Sequence, residues 1–137
     1  MNLVLDSTVA LAWVYAGESR PAVEQVLERV SQAGAWVPAF WRLEVAQRLE
    51  TGLRLGRHDA AFRDATLADL ALLPIHVDPD TDAHAWEATL KLASRYRLTL
   101  NAAAYLELAQ RRGLPLATLD AEMRRAAASE GIKLLGA

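Results

Sequence analysis

Short apolar runs alternate with stretches of helical periodicity along the whole chain. Leu3-Val4-Leu5 is apolar and stops at Asp6, and a helical stretch from about Thr8 to Tyr15 follows. Pro21 sits in the first turn of a second helix running to about Gln32, where its fixed φ and missing N–H are harmless, and Gly34 ends it. Ala35-Trp36-Val37 reads as a strand stopped by Pro38. A third helix is predicted from about Ala39 to Thr51, with Gly52 as its stop. Arg57 to Leu72 is helical by periodicity, placing Phe62, Ala65, Leu67, Leu70 and Leu73 near one stripe. Pro74-Ile75-His76-Val77 is the next strand. Asp78-Pro79 then opens a helix through about Tyr96, with Asp78 as cap and Pro79 at the first helical position. A helix from about Asn101 to Arg112 ends at Gly113, Leu116 to Leu119 is a buried strand, and a helix from Asp120 to about Ser129 stops at Gly131. Ile132 to Leu135 supplies a last strand.

Apolar strands alternating with helices predict an α/β fold: a mainly parallel, short-stranded central sheet with helices on both faces. Parallel strands need crossover connections, and every gap holds enough helix to make one. No linker, repeat or low-complexity tract interrupts the pattern, so residues 1–137 are expected to form a single domain.

Composition narrows the class. At 137 residues, 53% apolar and 23% charged, the chain can bury a core without staples. It has no cysteine, which removes disulfides, thiolate metal sites and cysteine nucleophiles. That composition fits a reducing cytoplasm, the expected location. The segment Met1 to Asp6 lacks the basic start of a secretory signal. The longest apolar stretch, Val9 to Gly17, falls far short of the ~20 residues that span a bilayer. A soluble protein with no membrane association is expected. The net charge of −2 excludes a bulk polycation. Basic residues do cluster locally, at Arg42, Arg48, Arg54 and Arg57, at Arg95 and Arg97, at Arg111 and Arg112, and at Arg124 and Arg125. Each cluster is either a solvated helix face or a set of phosphate contacts.

Asp6 and Asp120 each follow an apolar strand and precede a helix. In open parallel sheets ligands bind beyond the carboxyl ends of strands, so the two carboxylates share one crevice if their strands are neighbours. Each is also an ordinary N-cap by position. Glu44, inside the third helix, has Arg48 one turn on and could form a weak surface pair with it. Glu107 and Arg111 have the same spacing and are read as such a pair. Gathered carboxylates suit magnesium, which takes hard oxygen ligands and keeps several waters. Crowded without a metal, they should raise at least one pKa.

The segment Val4-Leu5-Asp6-Ser7-Thr8-Val9-Ala10-Leu11-Ala12-Trp13 resembles the opening motif of PIN-domain proteins, specifically the VapC toxins of type II toxin–antitoxin pairs. Val37-Pro38-Ala39-Phe40-Trp41-Arg42-Leu43-Glu44-Val45-Ala46 resembles their second motif. Tyr105-Leu106-Glu107-Leu108-Ala109, followed by Gly113-Leu114-Pro115-Leu116-Ala117-Thr118-Leu119-Asp120, resembles the third and fourth. The four lie in register across essentially the whole chain. The resemblance implies a PIN-like three-layer fold and an endoribonuclease with Asp6, Glu44 and Asp120 around Mg2+, or Mn2+ in its place. It makes Thr118 the hydroxyl before the last acid and lets Thr8 or Ser7 orient a water or phosphate, although Ser7 reads better as a cap. It also implies an RNA substrate, a VapB-like antitoxin and a homodimer. Trp13 and Trp41 are read as core.

The departure lies in the third motif, where the family commonly has tyrosine-aspartate-alanine and this chain has Asn101-Ala102-Ala103. Ala102 has no side-chain oxygen, and Asn101 reads as an N-cap. Loss of that carboxylate should impair the enzyme, whether the alanine is engineered or natural. Two other readings are available: a non-catalytic module of the same fold that binds RNA or an antitoxin, and a phosphoacceptor receiver domain. The receiver expects paired acids near the first strand and a late lysine; Asp6 stands alone and Lys133 lies inside the last strand. His58, His76 and His84 are scattered and are expected to have surface or core roles.

Overall fold

The computed structural model describes residues 2–15 and 17–137; Met1, and Ala16 within the Val9–Gly17 run, lie outside them. Five strands, β1 (Val4–Leu5), β2 (Ala35–Val37), β3 (Ile75–Val77), β4 (Leu116–Ala117) and β5 (Leu134–Leu135), form one sheet in the order β3-β2-β1-β4-β5. Every pairing is parallel. Helices α1 (Ser7–Ala12), α2 (Pro21–Ala33), α3 (Trp41–Arg54), α4 (Ala60–Ala71), α5 (Leu90–Tyr96), α6 (Leu100–Arg112) and α7 (Ala121–Ser129) supply the crossovers and complete a three-layer α/β fold.

The central strands β1 and β4 are short and wholly apolar because they are buried on both faces: Leu3, Val4, Leu5, Leu116 and Ala117 are fully inaccessible, whereas the edge strand β3 carries His76 and is largely exposed. Helix α2 buries Val23, Val26 and Val30 along one stripe and leaves its other face to solvent. Helix α6 buries seven consecutive residues, Ala103 to Ala109, the signature of a helix enclosed all round. Its alanines let it lie close to the sheet. Gly113, at φ 64°, closes α6 in the left-handed conformation that glycine adopts without strain.

Several helix boundaries differ from the sequence expectation, among them α1, which ends at Ala12, and α4, which starts at Ala60. Helix α3 runs through Gly52 to Arg54. That glycine is a contact point: a Cβ there would come within 2.6 Å of His58 Cε1 and 2.8 Å of the Tyr15 hydroxyl. Asp78 opens no helix. A 3-10 turn starts only at Asp82 and passes through a π-helical turn, Ala85–Thr89, into α5. Asp78 is instead fully buried and paired to Arg111 (2.6 Å) and Arg112 (3.0 Å). The cap of α6 is Thr99, which accepts from the Ala102 N–H at 3.2 Å, and not Asn101. The expected stripe of α4 is buried or half-buried at Phe62, Leu67, Leu70 and Leu73; Ala65 alone is exposed, with Thr66 buried beside it.

Candidate active site

The register of the central strands builds the site. Val4 pairs with Leu116 and Leu5 with Ala117, so the next residues, Asp6 and Thr118, emerge side by side at the carboxyl ends of β1 and β4. The chain runs from β1 outward through β2 to β3, then returns to β4 on the other flank. The β1/β4 boundary is therefore the point where strand order reverses, the usual place for a crevice in such sheets.

Two threonines lace these strand ends together. Thr118 accepts from the Asp120 N–H (3.1 Å) and donates to Asp6 Oδ2 (2.5 Å). Thr8 accepts from the Leu119 N–H (2.9 Å) and donates to Asp6 Oδ1 (2.7 Å). Both aspartates are also caps: Asp6 Oδ1 takes the Val9 N–H (3.1 Å) and Asp120 Oδ1 the Met123 N–H (2.9 Å). Capping and a place at the strand end thus coincide in the same residues.

Glu44 does not pair with Arg48. Its Oε1 accepts from Ser7 Oγ (2.6 Å) and from the Tyr105 hydroxyl (2.8 Å), joining α1, α3 and α6. Ser7 is consequently a partner of Glu44 rather than a cap; the cap of α1 is Asp6. Tyr105, quoted above only as part of a motif, is buried with its ring edge-on to Phe40, centroids 5.6 Å apart at 88°. The one sequence signal for it was a phenol in an alanine- and leucine-rich helix, since a buried hydroxyl needs a partner.

Burial raises the pKa of Asp6 to about 6. Hydrogen bonds from Thr118, Thr8 and Val9 pull the other way, and the charge of Glu44 adds to the rise. Burial and the Glu44 charge push the Tyr105 phenol well above its ordinary value, so it stays a donor. Glu44 lines a cleft of about 580 Å³ with Phe40, Leu43, Gln47, Arg48 and Asn101. Gln47 and Arg48 also line a second cleft of about 450 Å³, which reaches Thr8, Leu119 and Arg57.

The donor set is carboxylate and hydroxyl oxygen, which suits a hard divalent cation, and the buried Asp6 charge sits where a cation would relieve it. Among the described residues, no three acidic or histidine side chains stand close enough together to hold an ion by themselves. An ion held here would have to take most of its positions from water and phosphate, as magnesium can. Ala102, half-buried one turn before Tyr105, adds no donor.

Several residues fall outside the site. Trp41 is buried and Trp13 donates to the Val23 carbonyl (3.0 Å), both as core residues. His58 bridges the Leu49 carbonyl (3.0 Å) and the Tyr15 hydroxyl (3.2 Å). Glu107 and Arg111 form no mere surface pair: Glu107 is buried, and Arg111 links it (2.7 Å) to Asp78. Arg124 braces the sheet by donating to the carbonyls of Thr118 (2.7 Å) and Leu135 (3.1 Å).

A family model for the PIN domain matches residues 3–129. The chain belongs to the PIN-domain family. Several solved structures share its fold. PAE2754 from Pyrobaculum aerophilum is 21% identical, with a TM-score of 0.70 over 98% of this chain and 83% of that one. FitAcB from Neisseria gonorrhoeae is 14% identical, with a TM-score of 0.66 over 96% and 95%. A toxin–antitoxin complex from Klebsiella pneumoniae is 19% identical, with a TM-score of 0.52 over 88% and 87%. Comparison with curated proteins finds no match. Among the described residues of this PIN domain, no helix is long and apolar enough to cross a membrane.

Proposed function

We propose that this PIN domain is the toxin of a type II toxin–antitoxin pair of the VapC kind, a magnesium-dependent endoribonuclease weakened by Ala102. The observation that carries the reading is the convergence of Asp6 and Asp120 on the β1/β4 boundary, with Thr118 bonded to both residues and Glu44 bonded to Ser7, the residue after Asp6. Asp6, Glu44 and Asp120 would hold the Mg2+ or Mn2+. Such an ion, when bound, acidifies a water and neutralises charge developing on a phosphodiester.

The chain's own residues prepare that site. Thr8 and Thr118 fix both oxygens of Asp6, so its carboxylate is set before substrate arrives. Ser7 and Tyr105 do the same for Glu44. Arg48, in the wall of both clefts, is placed to take a phosphate of the RNA strand. A defined loop or single strand is the substrate class, since RNA sequence is read mainly where bases are unstacked. The fold neighbour solved as a toxin–antitoxin complex supports an antitoxin as partner; a small VapB-like antitoxin and a homodimeric working state belong to the same proposal.

Restoring the carboxylate tests the reading. Ala102→Asp should raise magnesium-dependent RNA cleavage by at least about 10- to 100-fold, the range seen when a metal site's supporting groups are lost or regained. Cleavage unchanged in that variant would contradict it. One observation favours a second reading, a non-catalytic module binding RNA or antitoxin: the described residues hold no three-acid cluster. Under that reading Ala102→Asp binds RNA and cuts none.

A further inference from the structure

Tyr105 and Ser7 place two hydroxyls from different helices on a single oxygen of Glu44, Oε1, at 2.8 Å and 2.6 Å. Oε2 accepts nothing from the described residues. Tyr105 is 2% exposed and Ser7 1% exposed, so neither hydroxyl can turn to bulk water. A buried phenol without an acceptor is costly, and the phenol here is spent on Glu44. Its ring is locked edge-on against Phe40, the residue that leads into α3.

We propose that Tyr105, with Ser7, is a positioning residue that holds Glu44 by one oxygen and leaves the other for the divalent cation. The inference rests on the metal-site reading given under Proposed function. It adds that α6, which carries alanine at 102, still acts on the site through Tyr105. A core tyrosine that merely needs an acceptor would contribute to folding alone. A positioning tyrosine is felt by the cation, and only while Glu44 is a carboxylate.

Mn2+ affinity separates the two roles, measured by calorimetry on the full chain and on Tyr105→Phe, Ser7→Ala, Glu44→Gln and the double variant Tyr105→Phe/Glu44→Gln. Tyr105→Phe keeps the ring and its Phe40 contact. It should weaken Mn2+ binding by about 10- to 100-fold, as loss of a group that orients a metal ligand does, and have little further effect once Glu44 is glutamine. Ser7→Ala should shift affinity in the same direction and carries the test if Tyr105→Phe fails to fold. Equal Mn2+ affinity in folded Tyr105→Phe or Ser7→Ala overturns the proposal, as does an undiminished effect in the Glu44→Gln background. Absence of Mn2+ binding to every chain, Ala102→Asp included, overturns it together with the metal reading. A Tyr105-dependent Mn2+ affinity in chains that cut no RNA upholds the positioning role and removes only the nuclease.

Discussion

Asp6 both caps α1 and carries a carboxyl buried at the end of β1, and its burial opposes its charge. Its pKa is raised to about 6 in the folded protein, whereas in the unfolded chain it has the ordinary value near 3.9. The native state therefore binds a proton more tightly than the unfolded state. This group's contribution is most favourable below about pH 4 and is lost as pH rises through about 6. The loss is on the order of 3 kcal/mol, since one pKa unit is about 1.4 kcal/mol. Asp6→Asn should consequently raise the Tm of the metal-free protein at pH 7 and change it little at pH 4. Thermal melts at the two pH values check this; a lowered Tm at pH 7 would show that Asp6 is not held at an electrostatic disadvantage.

Among the elements, α3 and the turn after β3 show what the sequence disclosed and what it hid. Existence and type of the strands were legible because apolar runs bounded by Asp6, Pro38 and Asp120 allow little else. Gly52 was misread because a glycine that stops a helix and one that admits a neighbour look alike in sequence; only the fold brings His58 and Tyr15 to it. Gly52→Ala should lower the Tm. Overpacking of this kind costs about 1–3 kcal/mol, which outweighs the gain of about 1 kcal/mol in helix propensity; an unchanged or raised Tm would show that the His58 ring yields freely. Asp78 was misread because Asp-Pro is a good helix start by local rules, while its partners Arg111 and Arg112 stand 33 and 34 residues away.

Asp78 also titrates with the opposite sign to Asp6. Burial raises its pKa, but hydrogen bonds from Arg111, Arg112 and Thr81 outweigh that and hold the carboxyl well below the usual range. Its contribution is complete above about pH 4 and fades only as pH falls below that value. Asp78→Asn should destabilise the neutral-pH protein by on the order of 3 kcal/mol, by leaving two arginines short of their acceptor. Urea unfolding at pH 7 measures it, and a loss under 1 kcal/mol would mark the network as dispensable.

At the scale of the whole molecule, the strand order turns Asp6 and Asp120, distant in sequence, into near neighbours through Thr118. Asp6 and Asp120 were readable from their places after apolar runs, but that β1 and β4 adjoin follows from the chain's reversal, not from any local pattern. The Ser7–Glu44 and Tyr105–Glu44 bonds, spanning 37 and 61 residues, left no trace in periodicity. A ligand that binds only the native state stabilises it by mass action. Millimolar Mn2+ should therefore raise the Tm of this chain at pH 7 and raise that of Ala102→Asp further, with Asp6→Asn unresponsive; equal shifts in all three would place the ion elsewhere.

The most direct measurement is anomalous diffraction from crystals of the Ala102→Asp chain soaked in Mn2+. The account predicts a manganese peak within coordination distance of Asp6 and of at least one of Glu44 and Asp120. Manganese bound away from all three acids, or Asp6 left untouched beside an ion elsewhere, would contradict it.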